Sequence, residues 1–537
     1  MSRAMAPVEI PANYYLNYFN QMIDLVLARY QDILPQQDLH FISQFKGLSE
    51  PAQRLLIRFY IRKGPLFLTD TLAYKEVPDI GQACAELCSS GLSEENPEVY
   101  CWQLVELLPV AESRSLLRAD KKIRKSELLD QTYLDEEIKS CTDWGIKRPI
   151  IQPTGYETYR RLQLLYFGNE QQTLTEFILE DIGLFKYEPY PIDRDNRLFN
   201  KAKEVETTLL INDLAIEFAE MSLAKDWQQI EVLAEQVLKI QPGRLLLNRW
   251  SRLANRIAYR LEQLGELELA YRIFSTNHQP PSRERRTRIL FKQQAYQAAK
   301  KLLEEIHQQP ISEDETTFYR RFINKVHKPL GLATVKFAKP HISETHLQLA
   351  RTDQRVEELA CDQFPGAVWL ENSLPLAVFG LVFWQVIFAD KPGVWHHPFQ
   401  SGPSDLYRSE FSEARSEEIA SLFNRQAQWL EIIQTHWAAK HGIRNAFVHW
   451  SVLTADTIIH CYTAFHPDQW AELFRHLLLD IRNHRSGFPD LFQRQEQGGR
   501  FIEVKGPGDK LQDNQKQWLA VFERIGIPAE VCYIQYL

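Results

Sequence analysis

Alternating apolar and charged residues near the carboxyl end predict a β-strand. Between residues 500 and 505, Ile502 and Val504 alternate with Glu503 and Lys505. A period of two places these two pairs on opposite faces of a strand. The sequence therefore predicts a strand with one apolar face and one face that carries an acid and a lysine.

A second predicted strand covers residues 490–494, and the Gln-Glu-Gln-Gly-Gly segment 495–499 separates the two. Such a glycine-containing connection predicts an antiparallel hairpin. Pro489 cannot donate to a strand ladder, so it marks the beginning of the first strand. We therefore expect Asp490 to meet the acid and the lysine of the second strand at one end of the hairpin.

The rest of the chain is dominated by helical periodicity. Apolar residues recur at helical spacing over residues 13–75, and long helices with short breaks are predicted over 201–326. A further apolar helix is predicted over 371–388, opened by Glu371. After the hairpin, a helix from a capping box at Asp509 and Gln512 to about Gly526 precedes a closing strand over 531–536.

Composition excludes several classes of protein. The 537 residues are too many for one hydrophobic core, and 44% hydrophobic with 25% charged residues is ordinary for a soluble protein. The net charge of −8 excludes a uniformly basic coat but leaves local basic patches open. The longest apolar stretch, 374–388, is shorter than the roughly 20 residues of a membrane span. We expect no membrane partner and a cytoplasmic location, nucleoid-associated if the source is bacterial.

Two carboxylates and an ammonium group at a strand end suit phosphate chemistry. Asp490 and Glu503 offer hard oxygen ligands for Mg²⁺ or Mn²⁺, and Lys505 can orient a water or neutralise charge on a phosphate. The alternative is a hairpin with a polar outward face. Pro489 before the acid and the Gly-Pro-Gly segment 506–508 favour the site.

Pro489-Asp490, a gap and Glu503-x-Lys505 resemble the PD-(D/E)xK nuclease pattern. The longer string SGFPDL…FIEVKGPGDKLQDNQKQWL is similar to the VRR-NUC domain of the Fanconi-associated nuclease family, and NYYLNYF and LSEPAQRLLIRFYIRKG extend the likeness toward the amino end. The resemblance implies that Glu371 is a third metal ligand. The Val504 carbonyl is a candidate further ligand, and Gln515, on the inner face of the following helix, is expected to reach the catalytic end.

The resemblance also implies an activity. It points to a metal-dependent 5′-flap endonuclease and 5′→3′ exonuclease acting on branched DNA in interstrand-crosslink repair, with one or two Mg²⁺ or Mn²⁺ ions. Two alternatives stay open: a nuclease like the Holliday-junction resolvases, and a structure-specific DNA-binding scaffold without catalysis.

Three groups of basic residues are candidates for DNA binding. Arg54, Arg58 and Arg62 share one helix face at a spacing of four, which suits either a solvated face or a stripe that contacts phosphates. Arg485 lies just before the catalytic acid. A cluster between two short predicted helices resembles a SAP-type module, although a plain helical hairpin with a charged rim is the alternative; it comprises Lys121, Lys122, Arg124 and Lys125.

The expected fold class is multidomain, with a mostly α-helical first two-thirds and a carboxyl-terminal α/β domain like restriction endonucleases. The predicted domains are an amino-terminal helical domain (1–90), a SAP-like module (91–145), a helical-repeat domain resembling tetratricopeptide arrays (146–340) and a VRR-NUC nuclease domain (341–537).

Overall fold

The structure is a computed structural model that describes residues 14–62, 64–133, 136–174, 185–337 and 341–537. The chain divides into two compact units. The first comprises Met1–Phe185 with Ile192–Val205, and the second comprises Lys186–Pro191 with Glu206–Leu537. No helix among the described residues is long and apolar enough to cross a membrane.

The first unit combines helices with two small antiparallel sheets. Its helices are α1 (Tyr14–Tyr30), α2 (Gln36–Gly47), α3 (Glu50–Ile61), α4 (Ile80–Ser89), α5 (Cys101–Leu107), α6 (Val110–Leu116), α7 (Lys125–Thr132) and α8 (Tyr156–Phe167). Its strands are β1 (Phe67–Leu68), β2 (Ser93–Glu95), β3 (Glu98–Tyr100), β4 (Ile138–Ser140) and β5 (Ile150–Pro153). They form a three-stranded sheet in the order β1-β5-β2 and the pair β3-β4.

The predicted amino-terminal helices are confirmed, because Tyr15, Tyr18, Met22 and Val26 of α1 are buried. The short helices α6 and α7 flank the turn that was expected near residue 119. Helix α8 packs against α1, and both helices lie in the first compact unit. The division into four domains stays a prediction.

The second unit begins with a helical array. It consists of α9 (Ala202–Ala224), which starts at the division between the units, α10 (Ile230–Lys239), α11 (Leu247–Leu264), α12 (Leu267–Ser275), α13 (Ser282–Lys292), α14 (Tyr296–Gln308) and α15 (Glu313–His327). Consecutive helices from α10 to α15 pack against each other, because each carries an apolar stripe that its neighbours cover. The expected array of paired helices is confirmed.

A five-stranded mixed sheet forms the frame of the carboxyl-terminal part. Its strands are β6 (Ser343–Leu349), β7 (Ala367–Trp369), β8 (Leu491–Arg494), β9 (Gly499–Lys505) and β10 (Ala529–Tyr536), in the order β6-β10-β9-β8-β7. Strand β10 pairs parallel with both β6 and β9. Strands β8 and β9 form the predicted antiparallel hairpin, in which Leu491 is opposite Ile502 and Arg494 is opposite Gly499.

Helices cover this sheet and fill a long insertion between β7 and β8. They are α16 (Val356–Cys361), α17 (Ser373–Val382), α18 (Trp384–Ile387), α19 (Glu410–Ala414), α20 (Ser416–Phe423), α21 (Trp429–Lys440), α22 (Ala455–Thr463), α23 (Pro467–Leu479), α24 (Ile481–His484) and α25 (Asp513–Ile525). Their core is rich in aromatic side chains and includes Phe379, Trp429, Phe474, Phe501 and Trp518.

Two helix predictions are corrected. The apolar run over 371–388 is not one helix, since α17 ends at Val382 and α18 begins at Trp384. The capping box of α25 is formed by Gln512 and Gln515 rather than by Asp509 and Gln512. Asp509 instead accepts a hydrogen bond from the Gly506 amide within the preceding turn.

Candidate active site

Asp490 lies at the start of β8, beside the end of β9. Its Oδ2 accepts a hydrogen bond of 2.8 Å from the backbone amide of Val504. This bond crosses the hairpin and fixes the carboxylate against the strand that carries Glu503 and Lys505. The predicted meeting of these three residues at one end of the hairpin is confirmed.

Glu371 is brought to the same place by backbone hydrogen bonds. The amides of Leu370 and Glu371 donate to the carbonyl oxygen of Asp490 over 3.2 and 3.0 Å. The amide of Phe488 donates to Oδ1 of Asn372 over 3.0 Å. The turn after β7 is therefore tied to the residues before β8.

The Glu371 backbone is in the left-handed region, with φ of 46°, and its side chain is exposed. Glu371 precedes α17 by two residues, so it does not open the helix as expected. A non-glycine residue in this region costs free energy and is retained where the surroundings dictate it. Here the dictating contacts are the hydrogen bonds to Asp490.

Glu503 is 1% exposed and Lys505 is 8% exposed, so the alternative of a polar outward face is wrong. Oε1 of Glu503 lies 2.7 Å from Nζ of Lys505 and accepts a 2.5 Å hydrogen bond from Nε2 of Gln515. Gln515 in turn accepts from the Gln512 amide over 2.8 Å. The cap of α25 thus orients the side chain that holds Glu503.

Burial sets the protonation of the two inner acids. Desolvation raises the pKa of Asp490 to about 6, against the opposing effect of its bond from Val504. Desolvation also raises the pKa of Glu503 to about 7, and the neighbouring charge of Asp490 adds to the shift. A buried acid and a half-buried acid that repel each other favour the binding of positive charge between them.

A divalent cation fits this requirement. Oε2 of Glu503 is buried and has no hydrogen-bond partner, and an unmatched buried oxygen of this kind is a ready ligand. Among the residues that the structure describes, no three acid, thiol or imidazole side chains already stand at ligand spacing. The exposed Glu371 side chain is close enough for its charge to add to the raised pKa of Asp490. The Val504 carbonyl as a ligand stays a prediction.

Two groups of charged residues were missed from the sequence. Glu357 on α16 contributes to the raised pKa of both Asp490 and Glu503. Arg252 on α11 is near Arg408 and Arg482, whose charges add to burial in lowering its pKa. No spacing signal relates these residues, because the fold brings them together from distant segments.

The predicted arginine stripe on α3 is largely neutralised. Arg54 forms an ion pair with Glu50, and Arg58 pairs with Glu76 over 2.5 Å. Arg62 follows the end of α3 and lies over the ring of Tyr74, at 5.1 Å. Contact of these arginines with DNA stays a prediction.

The basic cluster between α6 and α7 is more exposed to solvent than the arginines of α3. Lys121, Lys122 and Arg124 are exposed, whereas Nζ of Lys125 donates to the carbonyl oxygens of Glu106 and Leu108 over 2.7 and 2.9 Å. Lys125 therefore stabilises the end of α5.

Arg485 is exposed, and its guanidinium lies 4.6 Å from the centre of the Tyr407 ring. It occupies the turn between α24 and Asp490, as its position in the sequence indicated.

Two segments of the chain match the models of known domains. Residues 424–535 match the VRR-NUC domain, and residues 13–94 match the FAN1 HTH domain. The Fanconi-associated nuclease 1 homolog of Pseudomonas aeruginosa is 30% identical over 99% of this chain and 98% of its own length. The human Fanconi-associated nuclease 1 is 21% identical over 97% of this chain and 62% of its own length.

Two crystal structures are similar over nearly the whole chain. That of paFAN1 bound to 2-nucleotide 5′-flap DNA with a gap has a TM-score of 0.87 and 29% identity, covering 99% of this chain and 100% of that one. That of paFAN1 bound to 1-nucleotide 5′-flap DNA with a gap has a TM-score of 0.85 and 30% identity, covering 98% and 100%. The chain belongs to the Fanconi-associated nuclease family, and it is a hydrolase of DNA phosphodiester bonds with a VRR-NUC domain.

Proposed function

We propose that this protein is a structure-specific nuclease that cuts 5′-flap and other branched DNA and removes nucleotides in the 5′→3′ direction during interstrand-crosslink repair. The observation that carries the proposal is the acid pair at the hairpin end, where half-buried Asp490 is fixed by Val504 and buried Glu503 retains an unpartnered oxygen. The likeness to a relative crystallised with 5′-flap DNA supports the choice of substrate.

The nuclease family is of a divalent-metal-dependent type, and we infer Mg²⁺ or Mn²⁺, as one or two ions, for this chain. Asp490, Glu503 and Glu371 would hold the cation, with the Val504 carbonyl as a further ligand. When bound, the cation polarises the phosphate and lowers the pKa of a coordinated water.

The other residues position the reacting groups. Lys505, whose Nζ lies 2.7 Å from Glu503, orients the attacking water and offsets negative charge on the phosphate. Gln515 holds the Glu503 carboxylate through one oxygen and leaves the other for the cation.

Phosphate contacts come from basic residues that form no salt bridge within the described ranges. Lys121, Lys122 and Arg124 supply them in the first unit, and Arg485 with the Arg252, Arg408 and Arg482 group in the second. Such contacts hold DNA without reading its sequence. A cytoplasmic, nucleoid-associated location accords with this substrate and stays a prediction.

The test is cleavage of a fluorescently labelled 5′-flap DNA with Mg²⁺, with Mn²⁺ and with EDTA. We expect cleavage with either metal, none with EDTA, and none from Asp490→Asn, which should still bind the flap in a gel-shift assay. Preferred cleavage of a four-way junction would support the resolvase alternative. Tight flap binding without cleavage under any metal would support the scaffold alternative.

A further inference from the structure

Helix α16 places one more acid at the nuclease centre. The helix packs on β9 and β10, and the side chain of Val356 lies beside Gly506, the residue that follows Lys505. Ala360 on the same helix joins the core formed with Ile502. These contacts fix the first turn of α16 over the end of β9.

Glu357 follows Val356 in this first turn and is half-buried. No ion pair or hydrogen bond joins its side chain to another group in the described part of the chain. Its charge nevertheless acts on both Asp490 and Glu503. Because Val356 lies beside Gly506, a half-buried acid with no cationic partner stands at the strand end that carries Glu503, whose Oε2 is buried and unpartnered.

This arrangement is unfavourable without a cation, because like charges in a poorly solvated site repel. It becomes favourable when a divalent cation binds, since affinity rises with the number of negative charges around the site. Helix α16 covers the face of β9 that carries Ile502, and Glu503 lies on the other face of that strand.

We propose that Glu357 is a positioning residue of the nuclease centre, which acts through water on the cation held by Asp490 and Glu503 and strengthens its binding. This inference depends on the proposed function, since it assumes that these two acids bind a metal. Glu357 contributes charge and a hydrogen-bond acceptor, while the inner ligands stay those already named.

The alternative is a purely structural role. Glu357 is an acid in the first turn of a helix, where the helix dipole stabilises negative charge. A structural role predicts that Glu357→Gln lowers the melting temperature of the metal-free protein. The proposal predicts that this variant melts no lower than wild type, because the substitution also removes repulsion from the site.

The experiment is calorimetric titration of the full chain with Mn²⁺ alone, together with melting temperatures in EDTA and in Mn²⁺. We expect Glu357→Gln to bind Mn²⁺ roughly tenfold more weakly and to gain less stability from the metal. Glu357→Asp keeps the charge and should retain most of the affinity. The matched control is Glu358→Gln, because Glu358 is exposed and its side chain accepts from the Arg355 amide at 3.2 Å, which glutamine can also do.

Unchanged Mn²⁺ affinity in Glu357→Gln, or an equal loss in Glu358→Gln, would overturn the inference. A lower metal-free melting temperature with unchanged affinity would assign Glu357 to the fold alone. If the wild-type protein showed no saturable Mn²⁺ binding, the proposed metal-dependent function itself would be wrong. That outcome differs from a wild type that binds Mn²⁺ and a Glu357→Gln variant that binds it equally well, which would overturn only the role of Glu357.

Discussion

The amide of Val504 donates to the carboxylate of Asp490 over 2.8 Å, so one strand of the hairpin orients the acid that precedes the other strand. The carbonyl of the same aspartate accepts from the amides of Leu370 and Glu371. Asp490 is thus the residue at which three chain segments join. Its side chain faces the hairpin, and its backbone holds the turn that carries the third acid.

Gln515 should be needed for rate more than for folding. Gln515→Glu keeps an acceptor for the Gln512 amide but loses the donor to Glu503 and adds a negative charge beside it. We expect flap cleavage to fall by roughly 10- to 100-fold with little change in melting temperature. Single-turnover kinetics at saturating metal measure this. Lys516→Ala, one position along the same helix, is the control, and an equal loss there would contradict a specific role.

The strained turn at Glu371 predicts that relieving the strain preserves or raises stability while activity is lost. Glycine tolerates φ of 46° without strain, so Glu371→Gly should leave stability unchanged or raise it by about 0.5 kcal/mol while cleavage is lost. Glu371→Gln keeps the strain and also removes the charge. Chemical denaturation in EDTA and a cleavage assay give the two readouts. Full activity in the glycine variant would exclude Glu371 from the metal site.

The metal-free protein should lose stability as pH rises through the range of the inner acids. The folded pKa values of Asp490 and Glu503, about 6 and about 7, exceed the ordinary values of 3.8 and 4.5. The folded chain therefore holds more protons than the unfolded chain between these values, and its stability falls as pH rises.

Removing one of these acids should flatten that dependence. We expect Glu503→Gln to exceed wild type in stability at pH 8, in EDTA, by an amount on the order of 2 kcal/mol, and to match it more closely at pH 5. Urea denaturation at both pH values measures the difference. A gap that is larger at pH 5 than at pH 8 would contradict the direction of these shifts.

The turn before Asp490 should not accept a side chain. Gly487 has φ of 93°, and a Cβ there would lie 2.9 Å from Asn514 at the start of α25. We expect Gly487→Ala to cost about 2 kcal/mol and to reduce cleavage. Gly508 also has a positive φ, of 88°, but a Cβ added there would have no atom within 4 Å. Gly508→Ala therefore measures the backbone cost alone. Equal destabilisation of both variants would show that the close approach to α25 does not matter.

The arginines of α3 and the basic cluster between α6 and α7 should differ in what their substitution changes, stability in the first case and DNA binding in the second. Arg58 pairs with the largely buried Glu76, so Arg58→Ala should lower the melting temperature. Lys122 is exposed and its side chain forms no ion pair within the described residues, so Lys122→Ala should leave stability unchanged. It should instead reduce the salt dependence of DNA binding by about one counterion, as fluorescence anisotropy at several salt concentrations can measure.

The catalytic hairpin could be predicted because its signals are local. Alternation over residues 500–505, the proline before Asp490 and the glycines of the turn all act between neighbours in sequence. Gln515 also followed from helical spacing after the hairpin. Glu371 was found through the resemblance to the family, and its left-handed backbone has no signature in an apolar run.

What the sequence could not supply depends on tertiary contacts. Glu357 lies on a six-residue helix, too short for a periodic signal, and only packing on β9 relates it to the acids. The break between α17 and α18 at Phe383 is invisible in a run that is apolar on every side. Arg58 resembled part of a phosphate-binding stripe because its partner Glu76 lies beyond the helix.

The order of the strands in the sheet has a consequence for the protein during its synthesis. Strand β10 separates β6 from β9, and residues 529–536 leave the ribosome after all of the catalytic acids. A nascent chain therefore carries those acids on an unfinished sheet, and synthesis interrupted before residue 529 yields a product without the strand that joins β6 to β9. Such a product lacks the strand that pairs with β9 along Glu503 and Lys505, so we expect it to carry the catalytic acids without a complete site.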